Sequence, residues 1–155
     1  MTSLGFDQSN ITWYQLEGVD HASYHVCSVD PENKIVDVLF KFDANQRVIL
    51  HRHHADYRTL VLQGELRIYR ANGDLIEVRP VGSYVERKAG GEPHTEGGGD
   101  EDAIVFFSNR GTDGMIYELL DGEMNTLATL GLHDFKGLLD AQAPSAQPWV
   151  PEKVA

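Results

Sequence analysis

Val36, Val38, Phe40 and Phe42 alternate with Asp37, Leu39 and Lys41, which predicts a strand with one apolar face and one more polar face. Asp43-Ala44-Asn45-Gln46 reads as a turn, after which alternation resumes from Arg47 to His53. Beyond a polar loop, Thr59-Leu60-Val61-Leu62 predicts a strand that ends at Gly64. Leu66 to Arg70 and Leu75 to Val78 flank Asn72-Gly73. That pair predicts a hairpin with a type I′ turn, whose two central positions both need positive φ. Gly82 to Arg87, Ala103 to Ser108 and Met115 to Leu120 read as further strands, with Gly111-Thr112-Asp113-Gly114 joining the last two. About eight strands at close spacing, with turn signals between them, form the pattern of a β-sandwich or jelly roll. The one helical stretch is His133 to Ala141, with Phe135, Leu138 and Leu139 on one face, and Pro144 to Ala155 reads as an extended arm.

The chain has 155 residues, which suits one domain, and no internal repeat suggests two tandem barrels. Apolar residues make up 41% and charged residues 24%, ordinary values for a globular protein. The formal charge of -11 repels phosphate backbones and anionic lipid, so neither nucleic acid nor membrane is expected as the main partner. Cys27 is the only cysteine, which excludes an internal disulfide and a thiolate metal site, and it reads as a small half-buried residue. The N-terminus lacks a basic n-region and an apolar core, and no stretch approaches a membrane span, so a cytoplasmic protein is expected.

Candidate chemistry enters with the histidines. His51-Arg52-His53-His54 holds three of the seven, at the end of a predicted strand. Residues two apart share a strand face, so His51 and His53 set their imidazoles side by side while His54 points elsewhere unless a bulge shifts the register. Facing an interior, such a pair leaves desolvated nitrogens that a divalent cation would satisfy; facing water, it is a polar strand end. His94 follows the strand Gly82 to Arg87 and the glycine-rich loop Lys88 to Pro93, and antiparallel pairing can return it to the same end. His21, His25 and His133 have no partner at ligand spacing. Gly97-Gly98-Gly99-Asp100-Glu101-Asp102 reads as a flexible acidic loop, whose carboxylates would repel a phosphate.

His51-Arg52-His53, then Tyr57-Arg58, then Val61-Leu62-Gln63-Gly64, followed by Gly82 through Pro93-His94, resembles the two motifs of the cupin superfamily over roughly Val36 to Glu118. The resemblance implies an all-β cupin double-stranded β-helix, a jelly-roll barrel, with a short C-terminal helix. Residues 1–34 would form an N-terminal arm and edge strands, 35–120 the barrel core, and 121–155 a C-terminal strand or helix and a tail. Where many cupins carry a glutamate ligand, this chain has Tyr57 or Arg58, with Asp56 one step away. A site of three histidines without a carboxylate follows. From Asn72-Gly73-Asp74 through Gly82-Ser83-Tyr84-Val85 to Pro93-His94 the chain is similar to the branch with acetylacetone-cleaving and 2,4′-dihydroxyacetophenone dioxygenases and the cupin domains of ChrR-type anti-sigma factors.

Three neutral imidazoles leave a +2 ion uncompensated, which favours an anionic chelating ligand such as the enolate of a β-dicarbonyl or hydroxyketone. With iron(II), the resemblance implies oxidative carbon–carbon cleavage; zinc or nickel could occupy the same site on purification. Tyr57 and Arg58 are candidates to orient such a substrate, and Glu92 and Glu86 to act as acceptors or a base; each also reads as a packed ring or a solvated charge. A non-enzymatic sensor and a metal-dependent isomerase or lyase are the competing classes. Edge-strand pairing through residues around Trp13 and Tyr14 implies a homodimer.

Overall fold

Antiparallel strands dominate the computed structural model, which describes residues 5–111 and 114–142. Its strands are β1 (Ala22–Asp30), β2 (Ile35–Phe42), β3 (His51–His53), β4 (Asp56–Gln63), β5 (Glu65–Arg70), β6 (Leu75–Pro80), β7 (Tyr84–Arg87), β8 (His94–Gly98), β9 (Ala103–Arg110), β10 (Met115–Leu120) and β11 (Thr126–Gly131). One helix, α1 (Leu132–Ala141), follows them. One sheet runs β1-β2-β9-β4-β7 and the other β11-β10-β3-β8-β5-β6. Val36, Val38, Val61 and Phe107 of the first meet Leu66, Ile68 and Ile116 of the second in one core, the inward half of each alternating pattern.

This is the all-β jelly roll expected, with one adjustment: the two sheets face each other without closing into a barrel, and Ala44, just after β2, bridges to Gly98 of β8. Residues 47–50 do not pair as a strand, and β3 is confined to three residues. The Asn72-Gly73 hairpin forms, but not with a type I′ turn. Only Gly73 has positive φ (97°), Gly73 N donates to Arg70 O at 2.9 Å, and Arg70 N donates to Asp74 O at 2.8 Å. The loop is therefore longer by the width of a bulge than a two-residue turn.

The larger surprise is β8. Gly97 and Gly98 lie in it, and Gly97, Gly98 and Gly99 are all buried, so the expected flexible loop begins only at Asp100. The physical reason is close backbone approach. A Cβ on Gly97 would collide with the Gln46 carbonyl oxygen and lie 2.8 Å from its carbon. One on Gly98 would sit 2.8 Å from Glu101 O. Glycine in a strand can mark such an approach as well as a loop.

The β1 edge is covered by its own chain. Tyr14 and Tyr24 exchange backbone hydrogen bonds of 2.9 and 2.8 Å, and the Gln142 side chain, just after α1, brackets Val26 N and Val26 O at 2.7 and 3.0 Å. Trp13, next to Tyr14, lies beneath the Lys41 ammonium at 5.4 Å. Phe135 of α1 meets Tyr117 edge-on at 5.9 Å, which seats the helix on the core. Cys27, expected half-buried, is exposed at the β1 bulge. The arm expected from Pro144 lies outside the described residues, as do Thr112 and Asp113. No helix among the described residues is long and apolar enough to cross a membrane.

Candidate metal centre

β3 is flanked on both sides, with Leu119, Glu118 and Tyr117 of β10 opposite His51, Arg52 and His53, and His94 of β8 opposite His51. Strand alternation then divides the side chains. His51 and His53 point into the core, at 5% and 4% exposure, while Arg52 points out to Glu118 at 2.9 Å. On β8 the same period of two sends His94 and Glu96 inward together.

His51, His53, His94 and Glu96 each offer one donor atom, and these atoms lie within 4.8 Å of one another. His53 Nε2 is 3.3 Å from His94 Nε2, His51 Nε2 is 3.4 Å from Glu96 Oε1, and His94 Nε2 is 3.7 Å from Glu96 Oε2. Two donors bound about 2.1 Å from a shared ion at angles of about 90–110° stand about 3.0–3.4 Å apart, so the nitrogens already have coordination spacing. His51 Nδ1 donates to Ile49 O at 2.8 Å, a bond that turns Nε2 toward the cluster, where it can ligate an ion once deprotonated. The donor set suits a divalent metal ion: borderline nitrogen ligands, one carboxylate, and burial that leaves unpaired charge costly.

Protonation follows from the same contacts. Burial opposes charge on Glu96, but hydrogen bonds from His51 and His94 outweigh it and hold the carboxyl well below the usual range. Burial is the largest influence on His51 and pulls it down, but the bond to Glu96, the charge of Glu96 and the bond to Ile49 together reverse this, so the ring is raised. His53 is driven well below an ordinary histidine, first by burial and then by the neighbouring His51 charge. A neutral His53 keeps its lone pair for a ligand role.

Glu96 joins the three expected histidines, a carboxylate not expected beside them. The acid does not come from the segment holding Tyr57 and Arg58; it comes from β8, two residues after His94. Its signal was present as His94-Thr95-Glu96, the same alternation as His51-Arg52-His53, but was hidden by the glycines behind it. Asp56 is turned away, accepting from Ala89 N at 2.9 Å and Lys88 Nζ at 3.3 Å.

The other candidates separate by strand face. Tyr57 is buried and stacks on His53 at 4.0 Å, its phenol pushed up to about 12, chiefly by burial and then by the charge of Glu96. Arg58, the next residue, faces outward, 3.7 Å from Glu86, so neither joins the cluster. His54 leaves the interior too, bonding Glu118 at 2.9 Å. His21 stands 3.5 Å from Asp43 and His25 bonds Thr12 O at 2.9 Å.

A cavity of about 190 Å³ opens on His53 and His94 and is lined also by Tyr57, Glu77, Arg79 and Glu92. Glu92 is turned toward Arg70 at 3.6 Å and is largely exposed. Arg79, which the sequence reading passed over, is 4% exposed and reaches in from β6. On the other side of the cluster, His51 and Glu96 border an apolar space of about 70 Å³ walled by Leu16, Val19, Phe40 and Tyr117. Larger clefts, of about 570 and 350 Å³, contain none of the four cluster residues.

The outer face of β3 carries a testable charge lock. Glu118 takes hydrogen bonds from Thr126, from His54 at 2.9 Å and from Arg52 at 2.9 Å. Those from Thr126 and His54 do most to hold its carboxyl at about 2, against an ordinary 4.5. A folded-state value below the unfolded one stabilises fully above about 4.5, and that stabilisation fades as pH falls toward about 2. Glu118→Gln should flatten the acid limb of stability against pH, measured by urea unfolding across that window. An unchanged slope would contradict the lock.

No protein-family model matches the sequence, and no curated protein matches it. In structure the chain is similar to an RmlC-like cupin protein from Ralstonia eutropha JMP134, with 20% identity, a TM-score of 0.67, and 88% of this chain and 86% of that one covered. It is also similar to an acetylacetone dioxygenase from Acinetobacter johnsonii, at 14% identity and TM-score 0.65 over 91% and 92% of the chains. The polyketide cyclase RemF from Streptomyces resistomycificus superposes at 13% identity and TM-score 0.55 over 84% and 85%. At identities this low the superpositions show architecture alone: the chain has a cupin fold.

Proposed function

We propose that this cupin holds one divalent metal ion on His51, His53, His94 and Glu96 and is an iron(II) dioxygenase that cleaves a carbon–carbon bond of a small β-dicarbonyl or hydroxyketone. The observation that carries the reading is the convergence of four buried donor atoms within 4.8 Å beside a cavity that opens on two of them. Iron(II), when bound, supplies the reactivity toward dioxygen that the side chains lack, and one dioxygen would be consumed per substrate cleaved.

The side chains do the rest. His51 is oriented through its bond to Ile49 O, and His53 is fixed by the Tyr57 ring against its face. Tyr57 stays a neutral phenol, able to donate a hydrogen bond to a substrate oxygen. Tyr57 and Glu92 line the cavity, which supports a role for them in contact with a ligand. At about 190 Å³ the space is below the usual range for drug-sized ligands, which favours a small substrate. The acetylacetone dioxygenase of like architecture supports the reaction class, and the polyketide cyclase shows that the same architecture accompanies other chemistry.

Oxygen uptake by the iron(II)-loaded protein over a panel of dicarbonyls and hydroxyketones tests the proposal. Uptake in step with substrate loss is expected. Uptake no greater than that of free iron(II) across the panel would overturn the dioxygenase reading. Substrate loss without oxygen uptake would also overturn it, in favour of a lyase or isomerase.

A further inference from the structure

Arg79 is the one buried cation bordering the cluster's cavity that the proposed chemistry leaves unused. Its side chain is 4% exposed, yet it sits on β6 among Ile76 and Val78, which are 43% and 44% exposed. The strand thus turns its apolar residues toward water and its arginine inward, the reverse of what hydrophobic burial alone would select. Burying a guanidinium is costly unless its donors are used. Nη1 donates to Thr59 Oγ1 at 3.0 Å and Nη2 to Glu77 Oε2 at 3.0 Å. Nε is buried and has no hydrogen-bond partner.

The surroundings add a sign. Arg79, Arg87 and Lys88 line the cavity with Glu77 and Glu92, three cations against two carboxylates in a chain of net charge -11. Glu77 is already engaged by both Arg79 and Arg87, the latter at 3.1 Å. Glu96, by lowering the charge of a bound metal ion, weakens the expectation that the metal alone would select an anion. Arg79 restores that selection at a second point, beside His53, His94 and Tyr57.

We infer that Arg79 receives a carboxylate of the substrate in this cavity, so that the substrate is a dicarbonyl or hydroxyketone acid rather than a neutral diketone. The inference rests on the metal-centre reading for the substrate's other end. A carboxylate oxygen would satisfy the orphaned Nε–H with a charge-assisted hydrogen bond, where a neutral ketone oxygen would offer only a weaker acceptor. Arg79 then acts as a substrate-binding residue and takes no part in holding the metal.

The test titrates two probes that differ by one group, acetylacetone and 2,4-dioxopentanoate, into cobalt(II)-loaded protein, read by the visible spectrum of the ion. Wild type should bind the acid at least about tenfold more tightly than the diketone. Arg79→Met should abolish that preference while keeping one metal per chain and its affinity for acetylacetone, and Arg79→Lys should keep part of it. A metal-loaded wild type without preference overturns the inference and leaves the metal centre standing, as does a preference that survives Arg79→Met. A wild type that holds no cobalt overturns the metal centre and this inference with it. Should Arg79→Met fail to fold, the wild-type comparison and Arg79→Lys still decide.

Discussion

Gly97→Ala should destabilise the protein by about 3 kcal/mol or more, a large part of the stability of a typical domain. The new methyl would collide with the Gln46 carbonyl, whose carbon would lie 2.8 Å away, and both are backbone atoms that no rotamer change can move. Relief requires β8 to separate from residues 46–48, where Val48 N donates to Glu96 O at 2.9 Å. Glu96 and His94 ride on that strand, so the same substitution should also weaken metal binding. Chemical denaturation with and without metal measures both effects. Gly91→Ala is the control, because a Cβ there meets nothing within 4 Å. Equal stability of the two variants would mean that β8 is not pressed against residues 46–48.

His94→Ala should lose stoichiometric metal while its circular dichroism stays that of a folded β protein. The residue supplies one of four donors, and its Nε2 lies 3.3 Å from His53 Nε2 and 3.7 Å from Glu96 Oε2, so its removal opens one side of the cluster. The affinity loss should exceed the roughly 10- to 100-fold typical of changes in the groups behind metal ligands. His54→Ala and Arg58→Ala, which alter neighbours on the outward faces, should keep one metal per chain. Elemental analysis after gel filtration distinguishes these outcomes. Full metal retention by His94→Ala would remove it from the ligand set.

The parts of this molecule that were legible in its sequence are those in which one residue pattern has one physical meaning. Alternation in Val36 to Phe42 predicts β2, and His51-Arg52-His53 places two imidazoles on one face because strand geometry allows nothing else. The helical periodicity of Phe135, Leu138 and Leu139 appears as α1 packed on the core. Glu96 was hidden because glycine has two meanings. Gly97-Gly98-Gly99 reads locally as a flexible loop, and only the approach of Gln46, about fifty residues earlier in the chain, turns it into buried strand. Arg79 was hidden for a related reason. Leu75, Ile76 and Val78 outweigh it in any hydropathy pattern, yet the buried residue of β6 is Arg79, which lines the cavity with Glu77 and Ile76. Arg58 is adjacent to Tyr57 in sequence, and the period of two places it on the opposite face of β4.

X-ray absorption at the metal edge of the wild-type protein loaded with one equivalent of iron(II) or zinc(II) examines the metal centre most directly. Scattering from three imidazoles and one carboxylate oxygen, at about 2.0–2.2 Å, is the predicted first shell. A shell of oxygens without the outer-ring scattering of coordinated imidazole would place the ion elsewhere and dissolve the centre built on His51, His53, His94 and Glu96.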